Sequence, residues 1–200
     1  MAQTMLWYDL ETFGIHPQRD RIAQFAAVRT DNRFQPVGEP TDIYCRTSPD
    51  YLPDPAACLV SRITPRIADE RGVTEREFAG KIHELMSEPG TCAAGYNSIR
   101  FDDEFVRALF YRNFFDPYRR EYENGNSRWD IIDLARMARD LRPDGIVWPS
   151  AEDGRPVFRL EALADANGLP HDNAHNALSD VRTTIALAKL LFEKQEKLFR

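Results

Sequence analysis

The sequence predicts a mixed α/β sheet, an antiparallel meander joined to parallel strands, flanked by helices in one domain spanning 1–200. Three observations carry this. Apolar strand-like runs come first and in close succession, as in a meander. Strands then alternate with helical patterns, as crossover connections require. The 200 residues, 42% hydrophobic and 29% charged, suit a single soluble domain that buries about 70% of its extended-chain surface.

The first strand is read from "LWYDLETFG", 6–14. Alternation puts Met5, Trp7, Asp9 and Glu11 on one face and Leu6, Tyr8 and Leu10 on the other. "RIAQFAAVRTD" (21–31) is nearly continuously apolar and suits a central strand, and "EPTDIYCR" (39–46) follows the Pro36/Gly38 turn region as a third. Pro49, Pro53, Pro55 and Pro65 mark a Pro-rich connector. Thr74-Glu75-Arg76-Glu77 is a capping box opening a helix with Phe78, Ile82 and Leu85 on one stripe. "TCAAGYN" (91–97) reads as a short buried strand.

A helix is expected over 102–115, with Phe105, Ala108 and Leu109 inward. "RWDIID" (128–133) is a strand running into a helix that ends near Arg142, and 145–156 is a loop. "RLEALADANGLP" is a helix stopped by Gly168 and Pro170. The last helix, 177–197, carries Leu178, Val181, Ile185, Ala188 and Phe192. No internal repeat or low-complexity linker interrupts this order.

No apolar run approaches the ~18 residues of a membrane span, and the N-terminus lacks the apolar region of a signal peptide. Cys45, Cys58 and Cys92 are odd in number and lack metal-ligand spacing, which favours free thiols in a reducing cytoplasm. A net charge of −6 argues against coating nucleic acid by bulk electrostatics. It leaves room for an enzyme that gathers cations locally, and Arg107 through Arg142 is Arg-rich.

Asp9 and Glu11 side by side at a strand end repel one another unless a cation relieves them. Alone, Asp9-Leu10-Glu11 equally well opens a solvated loop. Asp102 and Asp103 sit at a helix start, where either also reads as an N-cap. Asp180 falls on the side of Thr184, Leu187 and Leu191, near the core, where a carboxylate needs a partner. His175 precedes that helix, free to face Asp180 or simply to cap. His16, His83 and His171 have no support for a role.

Together these motifs resemble the DEDDh branch of the proofreading-type 3′→5′ exonucleases. The match is Asp9-Leu10-Glu11-Thr12, then Asn97, Phe101, Asp102 and Phe105, then His175 five residues before Asp180. The second motif selects Asp102 over Asp103. Ala177 stands where the sister branch carries Tyr. "GYNSIRFDDE", "FYRNFFDPY", "NSRWDIIDL" and "FRLEALADANG" resemble the exonuclease domain of the bacterial exodeoxyribonuclease I family, from Trp7 to Phe199. Members of that family carry further barrel-like and helical domains, so the chain is either an excised catalytic domain or a short form.

The resemblance implies a ribonuclease-H-like fold and metal-dependent 3′→5′ hydrolysis of single-stranded DNA to 5′-mononucleotides in DNA repair. It implies two Mg²⁺ ions, with Mn²⁺ as a substitute, held by Asp9, Glu11, Asp102 and Asp180. Asp9 would bridge both, Glu11 and Asp180 would complete one site, Asp102 the other, and His175 would be the general base. Four carboxylates and no Cys suit a cation that takes oxygen ligands.

For substrate, the resemblance implies that Glu11, Thr12 and Phe13 meet the 3′-terminal nucleotide. Arg107, Tyr118, Tyr122, Arg136 and Arg159 would line the strand, with Arg on phosphates and Tyr stacked on bases. The plain alternatives are that Arg107 pairs with Asp103 one turn away and that Tyr118 and Tyr122 cover a loop. The expected partners are single-stranded DNA and the single-stranded DNA-binding protein, with no membrane and a monomeric chain. The rival functions are an oligoribonuclease-like RNA exonuclease and a non-catalytic nucleic-acid-binding module.

Overall fold

The computed structural model describes residues 3–171 and 176–199. Its centre is a five-stranded sheet of order β3-β2-β1-β4-β5, built from β1 (Thr4–Thr12), β2 (Ile22–Thr30), β3 (Thr41–Tyr44), β4 (Thr91–Gly95) and β5 (Ser127–Asp130). The first three strands pair antiparallel; β1–β4 and β4–β5 are parallel. This is the mixed sheet the sequence predicts, with β1 in the middle.

The alternation along β1 divides the core. Leu6, Tyr8 and Leu10 pack under α3 (Glu75–Ser87) and α4 (Asp102–Arg112), through Phe78, Ile82, Phe105 and Leu109. Trp7 faces the other layer, formed by α5 (Ile131–Leu141), α6 (Leu160–Ala166) and α7 (Ala177–Gln195). Its indole N–H donates to the Thr30 hydroxyl at 2.8 Å, so the buried ring leaves no orphan donor. The β1–β2 register shifts between Glu11 and Thr12, where Glu11 faces Gln24 but Thr12 faces Ile22. That bulge ends regular pairing just past the two acids.

The Pro-rich connector differs from expectation. It holds two short helices, α1 (Pro55–Ser61) and α2 (Pro65–Arg71). The prolines start them rather than break them: each occupies the first helical position, where no N–H is required. Asp54 and Thr64 cap the two helices by accepting from the Ala56 and Ile67 amides. Smaller corrections concern faces and ends. Ala108 is only half-buried, while Val106 and Phe110 are buried in its stead. Helix α4 stops at Arg112 rather than 115. Along α7 the core side is Val181, Thr184, Leu187, Ala188 and Leu191. Leu178, Ile185 and Phe192 lie at its margin. Among the described residues no helix is long and apolar enough to cross a membrane.

Candidate active site

Three elements deliver four carboxylates to the C-terminal end of β1. Asp9 and Glu11 project from one face of the strand, and Asp180 projects from the first turn of α7. The Asn176 side chain caps that turn by accepting from the Ser179 amide at 3.2 Å. Carboxyl oxygens of Asp9, Glu11 and Asp180 all lie within 4.8 Å of one another. Asp102, the first residue of α4, is buried. The Leu10 amide favours the charged form of both Asp102 and Asp9, which places both carboxylates on the same stretch of β1. His175 lies outside the described residues.

Burial and mutual repulsion dominate the electrostatics of these acids. Burial, then the charges of Asp102, Asp180 and Glu11, push the Asp9 carboxyl well above the usual carboxylate range. Burial and the Asp180 charge push Glu11 up to about 7. Burial is also the main cause of a strong rise at Asp102, with the neighbouring Asp103 charge adding to it. Like charges held this close stay ionised together only with a cation between them. An all-oxygen donor set of this kind fits a hard divalent ion.

Asp103 has the opposite surroundings. Tyr8 Oη donates to its Oδ1 at 2.6 Å, Arg120 Nη2 approaches Oδ1 at 2.5 Å and Arg128 Nη1 approaches Oδ2 at 3.0 Å. Burial alone would raise its carboxyl, but Arg120, Tyr8 and Arg128 hold it below its ordinary value. Asp103 is thus neutralised by its own neighbours.

Beside Glu11 a cavity of about 450 Å³ is lined by Thr12, Ile15, Ala57, Val60 and Phe101. Thr12 is on its wall, with its hydroxyl donating to the Gly14 carbonyl at 2.7 Å. Phe13 is not. Its ring is fully buried with Ala23, Ile63 and Ala68, so it has no face open to a nucleotide. Val60 and Ile15 are exposed apolar residues on this wall. The sequence reading missed α1, which supplies Ala57 and Val60. The available signal was an Asp directly before Pro55, a cap followed by a helix-starting proline.

The other expected substrate residues fall into two groups. In one, Arg107 lies over the Tyr118 ring, 5.1 Å from its centroid. Its guanidinium does not pair with Asp103, because Arg120 and Arg128 occupy that carboxylate. It pairs instead with Glu104 and with Glu121, whose oxygens it meets at 2.8 and 2.9 Å. Tyr118 and Tyr122 are both exposed, 55% and 67%, so neither is consumed in covering the loop. In the second group, Arg136 pairs with Asp133 at 3.2 Å and sits 5.8 Å from the Phe158 ring centroid. Arg159 is exposed at the N-cap of α6.

Known proteins similar to this chain are nucleases. Exodeoxyribonuclease I of Escherichia coli K12 is 53% identical over 196 residues, covering 98% of this chain and 41% of that protein. The zinc-bound crystal structure of the E. coli enzyme with single-stranded DNA superposes with a TM-score of 0.96 at 52% identity, over 100% of this chain and 42% of that one. More distantly, an oligoribonuclease of Photorhabdus laumondii is 28% identical, covering 91% of this chain and 90% of its own. The chain thus spans about two fifths of the exodeoxyribonuclease I relatives it matches. Residues 6–188, which run from β1 through the Asp180 turn into α7, match the exonuclease family as one stretch, and the chain belongs to that family.

Proposed function

We propose that this chain is a 3′→5′ exonuclease acting on single-stranded DNA, releasing 5′-mononucleotides in DNA repair and recombination. The observation that carries it is the carboxylate cage, in which carboxyl oxygens of Asp9, Glu11 and Asp180 converge within 4.8 Å. Asp9, Glu11 and Asp180 would hold one divalent cation and Asp102 would serve a second, with Mg²⁺ as the physiological ion and Mn²⁺ as a substitute. When bound, such a pair neutralises the scissile phosphate, lowers the pKa of the attacking water and stabilises the leaving 3′-oxygen.

The chain's own residues perform the remaining tasks. The apolar cavity beside Glu11 receives the terminal base without reading its edge, as a sequence-tolerant enzyme requires. Thr12 and Glu11 fix the terminal sugar. Tyr118 and Tyr122 stack upstream bases, and Arg136 and Arg159 meet the phosphates. His175 takes the proton of the water. The enzyme acts as a monomer in the cytoplasm. The single-stranded DNA-binding protein is its partner, by resemblance to the exodeoxyribonuclease I family.

The decisive experiment uses 5′-labelled DNA and RNA oligomers of matched sequence with Mg²⁺ or EDTA, and His175→Ala as control. We expect Mg²⁺-dependent shortening of DNA, little action on RNA and no action by the variant. The oligoribonuclease relative supports RNA as a second reading; preferential RNA shortening would establish it. No cleavage of either polymer in Mg²⁺ or Mn²⁺ would leave the non-catalytic binding module.

A further inference from the structure

Asp102 enters the cage from the turn between β4 and α4, and α4 holds that turn through backbone bonds without a side-chain cap. Phe101, the N-cap, makes no side-chain capping bond. Asn97 adopts a left-handed backbone, φ 59°. Such a turn keeps its shape only if its surroundings fix it.

The fixing group is the Asp130 carboxylate at the end of β5, which is 2% exposed. Its Oδ1 accepts the Asn97 amide at 2.8 Å and the Ile132 amide at 3.1 Å, and its Oδ2 accepts the Ile99 amide at 3.1 Å. Arg100 Nη1 stands 3.7 Å from Oδ2. An ordinary N-cap needs only the bond to its own helix, here Ile132. Two of the three amides instead belong to the turn that leads to Asp102. The turn is also closed from within, because the Ser98 carbonyl accepts the Asp103 amide at 2.8 Å. Ser98 nests so closely on Gly95 that a Cβ there would meet the Ser98 Cβ at 2.7 Å.

We propose that Asp130 is a positioning residue for Asp102. It fixes the 97–101 turn so that the Asp102 carboxylate reaches the cage, and so sets the affinity of the site for a divalent cation. The proposal rests on the nuclease reading for its kinetic consequence but not for its metal-binding one.

Asp130→Ser separates capping from positioning. A serine caps α5 as well as an aspartate does, but is too short to reach Asn97 and Ile99. Asp130→Asn is the second variant; it keeps the volume and sets an NH₂ group against a donor. Ile82→Val, in the core under α3, controls for lost stability. The readouts are Mn²⁺ titration by calorimetry, with Mn²⁺ alone and no DNA, and the kcat and KM for an oligonucleotide.

We expect Asp130→Ser and Asp130→Asn to weaken Mn²⁺ binding about tenfold or more, the range seen when groups orienting metal ligands are removed. kcat should fall with KM nearly unchanged, while Ile82→Val lowers the Tm and leaves Mn²⁺ affinity alone. Wild-type Mn²⁺ affinity in both Asp130 variants, or no Mn²⁺ binding by the unmodified protein, overturns the proposal. If the unmodified protein binds Mn²⁺ yet cleaves neither polymer, the nuclease reading fails and the Mn²⁺ comparison still decides the role of Asp130.

Discussion

Asp102 turns toward the Leu10 amide and the acids of β1, whereas Asp103, one residue further along α4, turns toward Tyr8, Arg120 and Arg128. Two carboxylates of the same chemistry, buried in the same first helical turn, are pushed in opposite directions. The first is held where burial and the neighbouring Asp103 charge make its own charge unfavourable. The second is neutralised by the protein itself, which is the condition of a structural group. Its network continues outward, since Arg128 and Arg107 share Glu121 and Arg107 lies over Tyr118. What separates the two is the set of neighbours on each side of the helix rather than burial.

The largest effect expected from breaking this contrast is at Asp102. Asp102→Asn should reduce nucleotide release on the order of a thousandfold, with a Tm equal to or above that of the unmodified protein, because a buried repulsion is relieved. A clear loss of Tm with activity intact would reverse the assignment. Asp103→Asn should do the converse. Removing the charge leaves Arg120 buried and unbalanced and costs about 3 kcal/mol in urea unfolding. Activity per folded molecule should persist.

The outer end of the Asp103 network gives a smaller effect. Tyr118→Ala should weaken binding of a single-stranded oligonucleotide by ~1–3 kcal/mol, read by fluorescence anisotropy, with turnover at saturation preserved. Unchanged affinity would confine the network to folding.

The last test is electrostatic. The Glu11 carboxyl is raised from 4.5 to about 7 in the folded chain. The folded state therefore holds a proton that the unfolded state releases, and stability falls as pH climbs through that interval. Metal-free protein should show a falling urea midpoint from pH 4.5 to 7, with a flatter profile in Mg²⁺. A midpoint that rises over this range without metal would contradict the cage.

Much of this contrast was legible in the sequence, and the illegible part has a physical cause. Strand alternation placed Asp9 and Glu11 on one face, and helical phase placed Asp180 beside Thr184 and Leu187, because both depend only on local spacing. The fate of Asp103 depends on Arg120 and Arg128, 17 and 25 residues downstream, and on how the 116–126 loop folds back. No local pattern encodes that. The helix at 55–61 was hidden for a different reason: proline count suggested a connector, while the informative feature was the position of each proline just after a capping residue. Asp130 was read only as part of a strand, since its bonds to Asn97 and Ile99 exist only once β4 and β5 are adjacent.

The central place of β1 has a consequence for motion. From Thr4 to Trp7 its backbone is paired on one side or both, parallel to β4 and, from Met5, antiparallel to β2; beyond Trp7 it pairs with β2 alone. The Met5–Trp7 backbone leading to Asp9 cannot open by fraying of a sheet edge, and its hydrogen exchange should require the opening of the whole molecule. The loop around Tyr118 lies outside the sheet and is held instead by the Asp116 carboxylate, which accepts the Tyr118 and Arg119 amides at 2.9 and 3.1 Å. The acids of β1 thus continue directly from a stretch of the chain paired on both sides, while Tyr118 stands exposed outside the sheet.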